Sequence, residues 1–165
     1  MSSNQFAKVE ELVSALGNAD DAARWNAHQS LVEMGTVAIP HLVRSLQDSR
    51  ILVRWEITQI LATLQDPSAA SALVEALGDD DSGVRWSAVR ALMVLREQAI
   101  VPLLQGLMHS KSNLIFDNAH HVLRNIPLPP ETRAMLEPVM NALSGMAPEL
   151  QAPIAARELL TTLQP

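Results

Sequence analysis

The chain has 165 residues, 48% of them apolar, with a formal net charge of -6 and an isoelectric point near 5.3. That length and apolar content provide for one domain with a sizeable core and exclude disorder. Only Lys8 and Lys111 among twelve basic residues are lysines, and there is no cysteine. A phosphate-wrapping surface, disulfides, thiolate catalysis and zinc–thiolate sites are therefore not expected.

The first segment, MSSNQFAKVEEL, has no basic region followed by an apolar run, so no secretory signal is expected. No stretch approaches ~18 uninterrupted apolar residues, the length a membrane span needs. A soluble, cytoplasmic chain is the resulting expectation. The rest reads as helices in pairs. The first unit, 6–35, carries Leu16, Asn18, Arg24-Trp25 and Leu31. In the second, 36–66, Val37, Ile39, Leu42, Val43 and Leu46 form one helical stripe, with Pro40 in the first turn where a missing N–H costs little. Val53, Ile57, Ile60, Leu61 and Leu64 form the next. The third unit, 67–97, repeats the pattern through Leu77, Asp79, Arg85-Trp86 and Leu92. The fourth, 98–127, replaces the valine–arginine–tryptophan triplet with Leu114-Ile115-Phe116. Ile115, Ala119, Val122 and Leu123 then match Val84, Ala88, Ala91 and Leu92, which sets Phe116 on the arginine position and one inserted residue in the loop near His109 to Asn113. A degenerate fifth pair, 131–163, follows the break Pro127-Leu128-Pro129-Pro130. No stretch alternates with a period of two for long enough to form a sheet.

The recurrence is the main signal. The dipeptides Arg24-Trp25, Arg54-Trp55 and Arg85-Trp86 lie at offsets of 30 and 31. Leu16, Leu46 and Leu77 stand nine residues before each tryptophan, and Leu31, Leu61 and Leu92 six after. The fold expected is an all-α, right-handed solenoid of about five antiparallel helix pairs in one domain, 1–165. Gly17, Gly35 and Gly78 suit helix C-termini, and Asp20, Asp48 and Asp81 suit caps or first turns of the second helices.

The frame from Leu77 to Leu92, Leu-x-Asp followed by Val-Arg-Trp-x-Ala-x-x-Ala-Leu, resembles the bacterial HEAT-like repeats grouped with phycobilisome lyases. The resemblance covers residues 9 to 126. It implies that first helices line a convex face and second helices a concave, partner-binding one. The family's valine–arginine position falls on Val53-Arg54 and Val84-Arg85; it falls on Ala23-Arg24 without the valine and on Ile115-Phe116 without the arginine.

Helical rotation assigns roles to the recurring residues. Arg54 lies about 75° from the centre of its apolar stripe, placing it to bridge to the recurring Asn18, Asp48 or Asp79. Trp55 points about 175° away from the stripe. Each tryptophan then lies either on the open face of the second helices or in the seam to the next repeat. The candidate partner-binding set is Trp25, Trp55, Trp86, Gln29, Glu56, Gln59, Arg90, Asp117 and His121. The five histidines read as surface or capping residues. His120 and His121 are adjacent on one helix and cannot chelate one metal together. The run Asp79-Asp80-Asp81 reads as a turn with helix capping. No phosphate loop, serine elbow or catalytic triad is present, and no metal or cofactor is expected. The primary expectation is a non-enzymatic scaffold for a protein or peptide, without nucleic acid or membrane partners and with the oligomeric state open. The alternative implied by the resemblance is a lyase-like or chaperone role toward a tetrapyrrole or pigment protein, for which aromatics on a wall suit a flat conjugated ligand. A base-excising role on nucleic acid ranks last, since Glu33, Glu56 and Asp117 outweigh Arg90 on the candidate face.

Overall fold

The computed structural model describes residues 3–163. Among these, the regular structure is ten α-helices with three short 3₁₀ turns. In chain order the helices are α1 (Ser3–Ala15), α2 (Asp21–Met34), α3 (Ile39–Ser45), α4 (Ile51–Leu64), α5 (Ala70–Ala76), α6 (Ser82–Leu95), α7 (Ile100–His109), α8 (Asn113–Asn125), α9 (Pro130–Ser144) and α10 (Pro148–Leu163). The fold is an all-α solenoid. The second helices α2, α4, α6 and α8 stack side by side in chain order, and α1, α3, α5 and α7 form the layer behind them. The apolar stripes meet between the layers, where Leu16, Leu42, Leu61, Leu77, Leu92 and Leu103 are fully buried.

The turns repeat as closely as the helices. Asn18 and Asp48 accept the N–H two residues on, at 3.0 and 2.9 Å, and Asp79 does the same at 2.9 Å. Ser110 repeats that bond to the N–H of Ser112. The residue donating this bond is each time the N-cap of the next second helix: Asp20, Arg50, Asp81 and Ser112. The fourth repeat therefore regains register at Ser110, and its inserted residue lies between Leu107 and Ser110. Asp20 and Asp81 cap with their side chains, whereas Asp48 serves as the turn residue and Arg50 stands at the cap without a side-chain bond.

Helix exits recur too. Gly35, Gln65 and Arg96 end α2, α4 and α6 with φ of 61°, 53° and 53°. Only the first is glycine, so the other two carry the steric cost of a left-handed φ. This exit also divides Ser82–His109, a stretch long and apolar enough to meet the length and composition test for a membrane span, into α6 and α7 joined by the 3₁₀ turn Arg96–Ala99. Gly17 and Gly78 are not left-handed. They clear space for the next repeat: a Cβ at Gly17 would press on Arg50 and Val53, and one at Gly78 on Ile115.

The last pair departs from the series. In a regular continuation α9 would extend the α7 layer and α10 the α8 layer. Instead α9 packs on α8, and α10 packs mainly on α7 and α9. The Pro127–Pro130 break removes the short turn that sets the order of the two helices elsewhere, so the pair closes the end in reverse. The ten helices thus make the five expected pairs, four in regular series and the degenerate fifth packed in reverse order.

Candidate functional site

The arginine of each repeat builds the floor from which the tryptophans project. Arg24, Arg54 and Arg85 each donate an Nη1–H to the main-chain carbonyl of the turn residue of their own repeat, Asn18, Asp48 and Asp79, at 2.7–2.8 Å. The expected bridge between repeats is fully made once. Arg54 grips both carboxylate oxygens of Asp79 from the following repeat, Nε at 2.7 Å and Nη2 at 2.9 Å. Burial pushes the Asp79 carboxyl up, but the Arg54 fork and the Asp81 N–H outweigh it and hold the group below the ordinary carboxylate value. Arg24 finds Asp48 already taken by Arg50, and bonds Asp21 and approaches Glu56 instead. Arg85 has only carbonyls, because the next turn residue is Ser110. In the fourth repeat Phe116 occupies the arginine position and is buried.

One residue beyond, the indoles stand out of the second-helix layer. Trp25 is 63% exposed, Trp55 36% and Trp86 54%. Trp55 leans toward the next helix, its indole edge beside Gly83 at the start of α6. Trp25 and Trp55 border one groove of about 820 Å³ across α2, α4 and α6, within the range of small-molecule sites. Gln29, Glu56, Gln59 and Arg90 line the same groove. Six of the nine sequence-derived residues are thus brought together. The other three lie further along the layer: Trp86 packs on the His121 ring with centroids 5.3 Å apart, and Asp117 is exposed on α8.

Among the groove residues outside the expected set are His28 and Arg24, which meet Glu56. His28, three residues after Trp25, places Nδ1 2.7 Å from Glu56 Oε2, and Arg24 Nε lies 3.7 Å from Glu56 Oε1. The Glu56 side chain, only 12% exposed, is thus held from two sides by the preceding repeat. The signal available in the sequence is the pairing of His28 in one unit with the residue after tryptophan in the next. A second depression, of about 340 Å³, lies along the turns between Asp48 and Asp80, but Arg54 in its wall is committed to Asp79. His41 also departs from the surface reading. It is buried under Phe6, whose ring meets it edge-on at 4.5 Å, and its neighbour Arg44 lies over the same ring. Burial, with Arg44 beside it, lowers the His41 pKa below its ordinary value.

The repeated turn, the arginine floor and the stacked second helices define a HEAT-type solenoid, and the family model for HEAT repeats matches residues 39–124. The chain belongs to the HEAT repeat family. A stretch of 85 residues is 34% identical to the bilin biosynthesis protein RpcF of Synechococcus sp. (strain WH8020), covering 51% of this chain and 41% of that protein. The chain therefore matches less than half the length of this relative. Among solved structures, the complex of CpcE and CpcF of phycocyanin lyase from Nostoc sp. PCC7120 superposes with a TM-score of 0.57. That match covers 94% of this chain and 99% of that one at 23% identity, a likeness of fold. The expectation of a non-enzymatic module is contradicted by these relatives, whose names belong to bilin biosynthesis and to a lyase. The absence of a nucleophile does not itself exclude catalysis, because a protein can act by holding and orienting reactants that carry their own reactive groups.

Proposed function

We propose that the chain is a subunit of a bilin-lyase-type protein and holds a linear tetrapyrrole in the groove bordered by Trp25 and Trp55. The observation that carries this reading is the pair of exposed indoles from consecutive repeats bordering one groove of small-molecule size. Indole faces suit a flat conjugated ligand, which can stack on one and meet the edge of the other. The Glu56 carboxylate, fixed by Arg24 and His28, offers an acceptor to ligand N–H groups. Holding pigment in a set orientation is the contribution such a groove makes to attachment or removal chemistry. The bilin relatives and the lyase-like fold support the same assignment. The rest of the layer, with Trp86, His121 and Asp117, is the surface on which a protein partner docks.

The test is a titration of the chain with biliverdin, followed by induced circular dichroism in the pigment's visible bands. The wild-type chain should induce a signal. Trp25→Ala and Trp55→Ala should each weaken binding about tenfold, as loss of an aromatic anchor does, with native far-ultraviolet spectra retained. A wild-type chain that leaves the pigment spectrum unchanged contradicts the assignment.

A further inference from the structure

The groove has three basic side chains in its wall, and two are occupied. Arg24 is bonded to Asp21 and to the Asn18 carbonyl and faces Glu56. His28 is bonded to Glu56. The third, Arg90, lines the groove from α6 and is exposed, with no hydrogen bond or ion pair to any described residue. The acidic wall residues Asp21 and Glu56 are the ones already engaged by Arg24 and His28. Arg90 is therefore the one basic side chain of the groove left without a partner among the described residues, in a chain whose net charge is -6.

We infer that Arg90 reads a carboxylate of the groove's ligand, which on the proposed function is a propionate side chain of the tetrapyrrole. A guanidinium offers a planar fork that matches a carboxylate with two parallel N–H···O bonds. Linear tetrapyrroles carry their propionates on one edge of a flat body. With that body against Trp25 and Trp55, an anion on Arg90 fixes which edge faces α6, while the engaged Glu56 meets the N–H side. Arg90 is thereby a specificity residue: it selects ligands with a free acid and sets their orientation. Its exposure leaves the fold independent of it.

The experiment compares biliverdin with its dimethyl ester, by induced visible circular dichroism, on the wild-type chain and on Arg90→Gln and Arg90→Lys. Wild type should bind the acid about tenfold more tightly than the ester, the scale of one charge-assisted contact. Arg90→Gln should bind both alike, near the wild-type affinity for the ester. Arg90→Lys should keep part of the preference, because it retains the charge without the fork. Equal binding of acid and ester by wild type overturns the inference and leaves the pigment groove standing. So does an undiminished preference in Arg90→Gln. Failure of wild type to bind either compound overturns the proposed function and the inference together.

Discussion

The first three repeats and the fourth solve the same packing problem with different chemistry. In the first three, an arginine ties down its own turn, and at Arg54 it also reaches the next repeat's carboxylate. In the fourth, Phe116 fills that position as one of the largest fully buried side chains. The arginine position is thus a plug whose polarity is optional for the fold. What the arginine repeats add is a tryptophan one residue later, standing on a polar floor; the fourth repeat has Asp117 there. The aromatic row ends where the arginine frame ends, which sets the exposed tryptophans apart from the structural series.

That contrast sets the sizes of the mutational effects. Phe116→Ala should be the most damaging, costing about 3–5 kcal/mol because it empties a buried aromatic site. Arg54→Ala should cost about 1–3 kcal/mol, the range for losing hydrogen bonds to a charged group. Urea denaturation of both variants checks the order; equal losses would mean that the arginine is as deeply structural as the phenylalanine.

The polar floor should also make the first repeats acid-sensitive. The Asp79 carboxyl is held below its unfolded value of 3.8, as is that of Asp48, chiefly through its bond to Arg50. A depressed carboxylate stabilises above its unfolded pKa, and that contribution is lost as pH falls through the folded value. His41, also depressed, from 6.5, contributes in the same direction from a higher pH. Thermal midpoints should therefore start to fall below about pH 6.5 and fall again below about pH 4. With His41→Phe the first decline should vanish, and with Asp79→Asn the second should shrink. The smallest effect should be a gain. Arg96→Gly removes a left-handed arginine at the exit of α6 and should stabilise by about 1 kcal/mol, visible as a higher denaturation midpoint; no gain would place the strain elsewhere.

Much of this is legible in the sequence because a repeated frame fixes local geometry. The helix pairs, the phase of Phe116 and the turning of the tryptophans away from their helix-pair core all follow from spacing, which leaves open whether they lie on the open face or in the seam. Contacts between repeats are less legible, because they depend on how far one helix slides along the next. His28 finding Glu56 belongs to that class, whereas the Arg54 bridge is expected from the frame and only its choice of Asp79 is not. The left-handed Gln65 and Arg96 carry no glycine to announce them. The reversed α9–α10 pair lies beyond the frame, where no repeating residue sets the order of helices. Function is legible only through the family resemblance, which implies the lyase-like alternative; the residues' own chemistry is silent, because a catalytic constellation marks only proteins that supply the reactive group themselves. A groove that orients a reactive pigment leaves no such mark in the sequence.

The proposed pigment groove involves two of the three tryptophans, Trp25 and Trp55. The most direct measurement is the set of indole N–H resonances in a ¹⁵N-correlation spectrum of the chain during titration with biliverdin. The signals of Trp25 and Trp55, assigned by single substitution, should shift or broaden together at stoichiometric ligand while that of Trp86 stays near its starting position. Perturbation of Trp86 alone, or of none of the three, would contradict the groove as the pigment site.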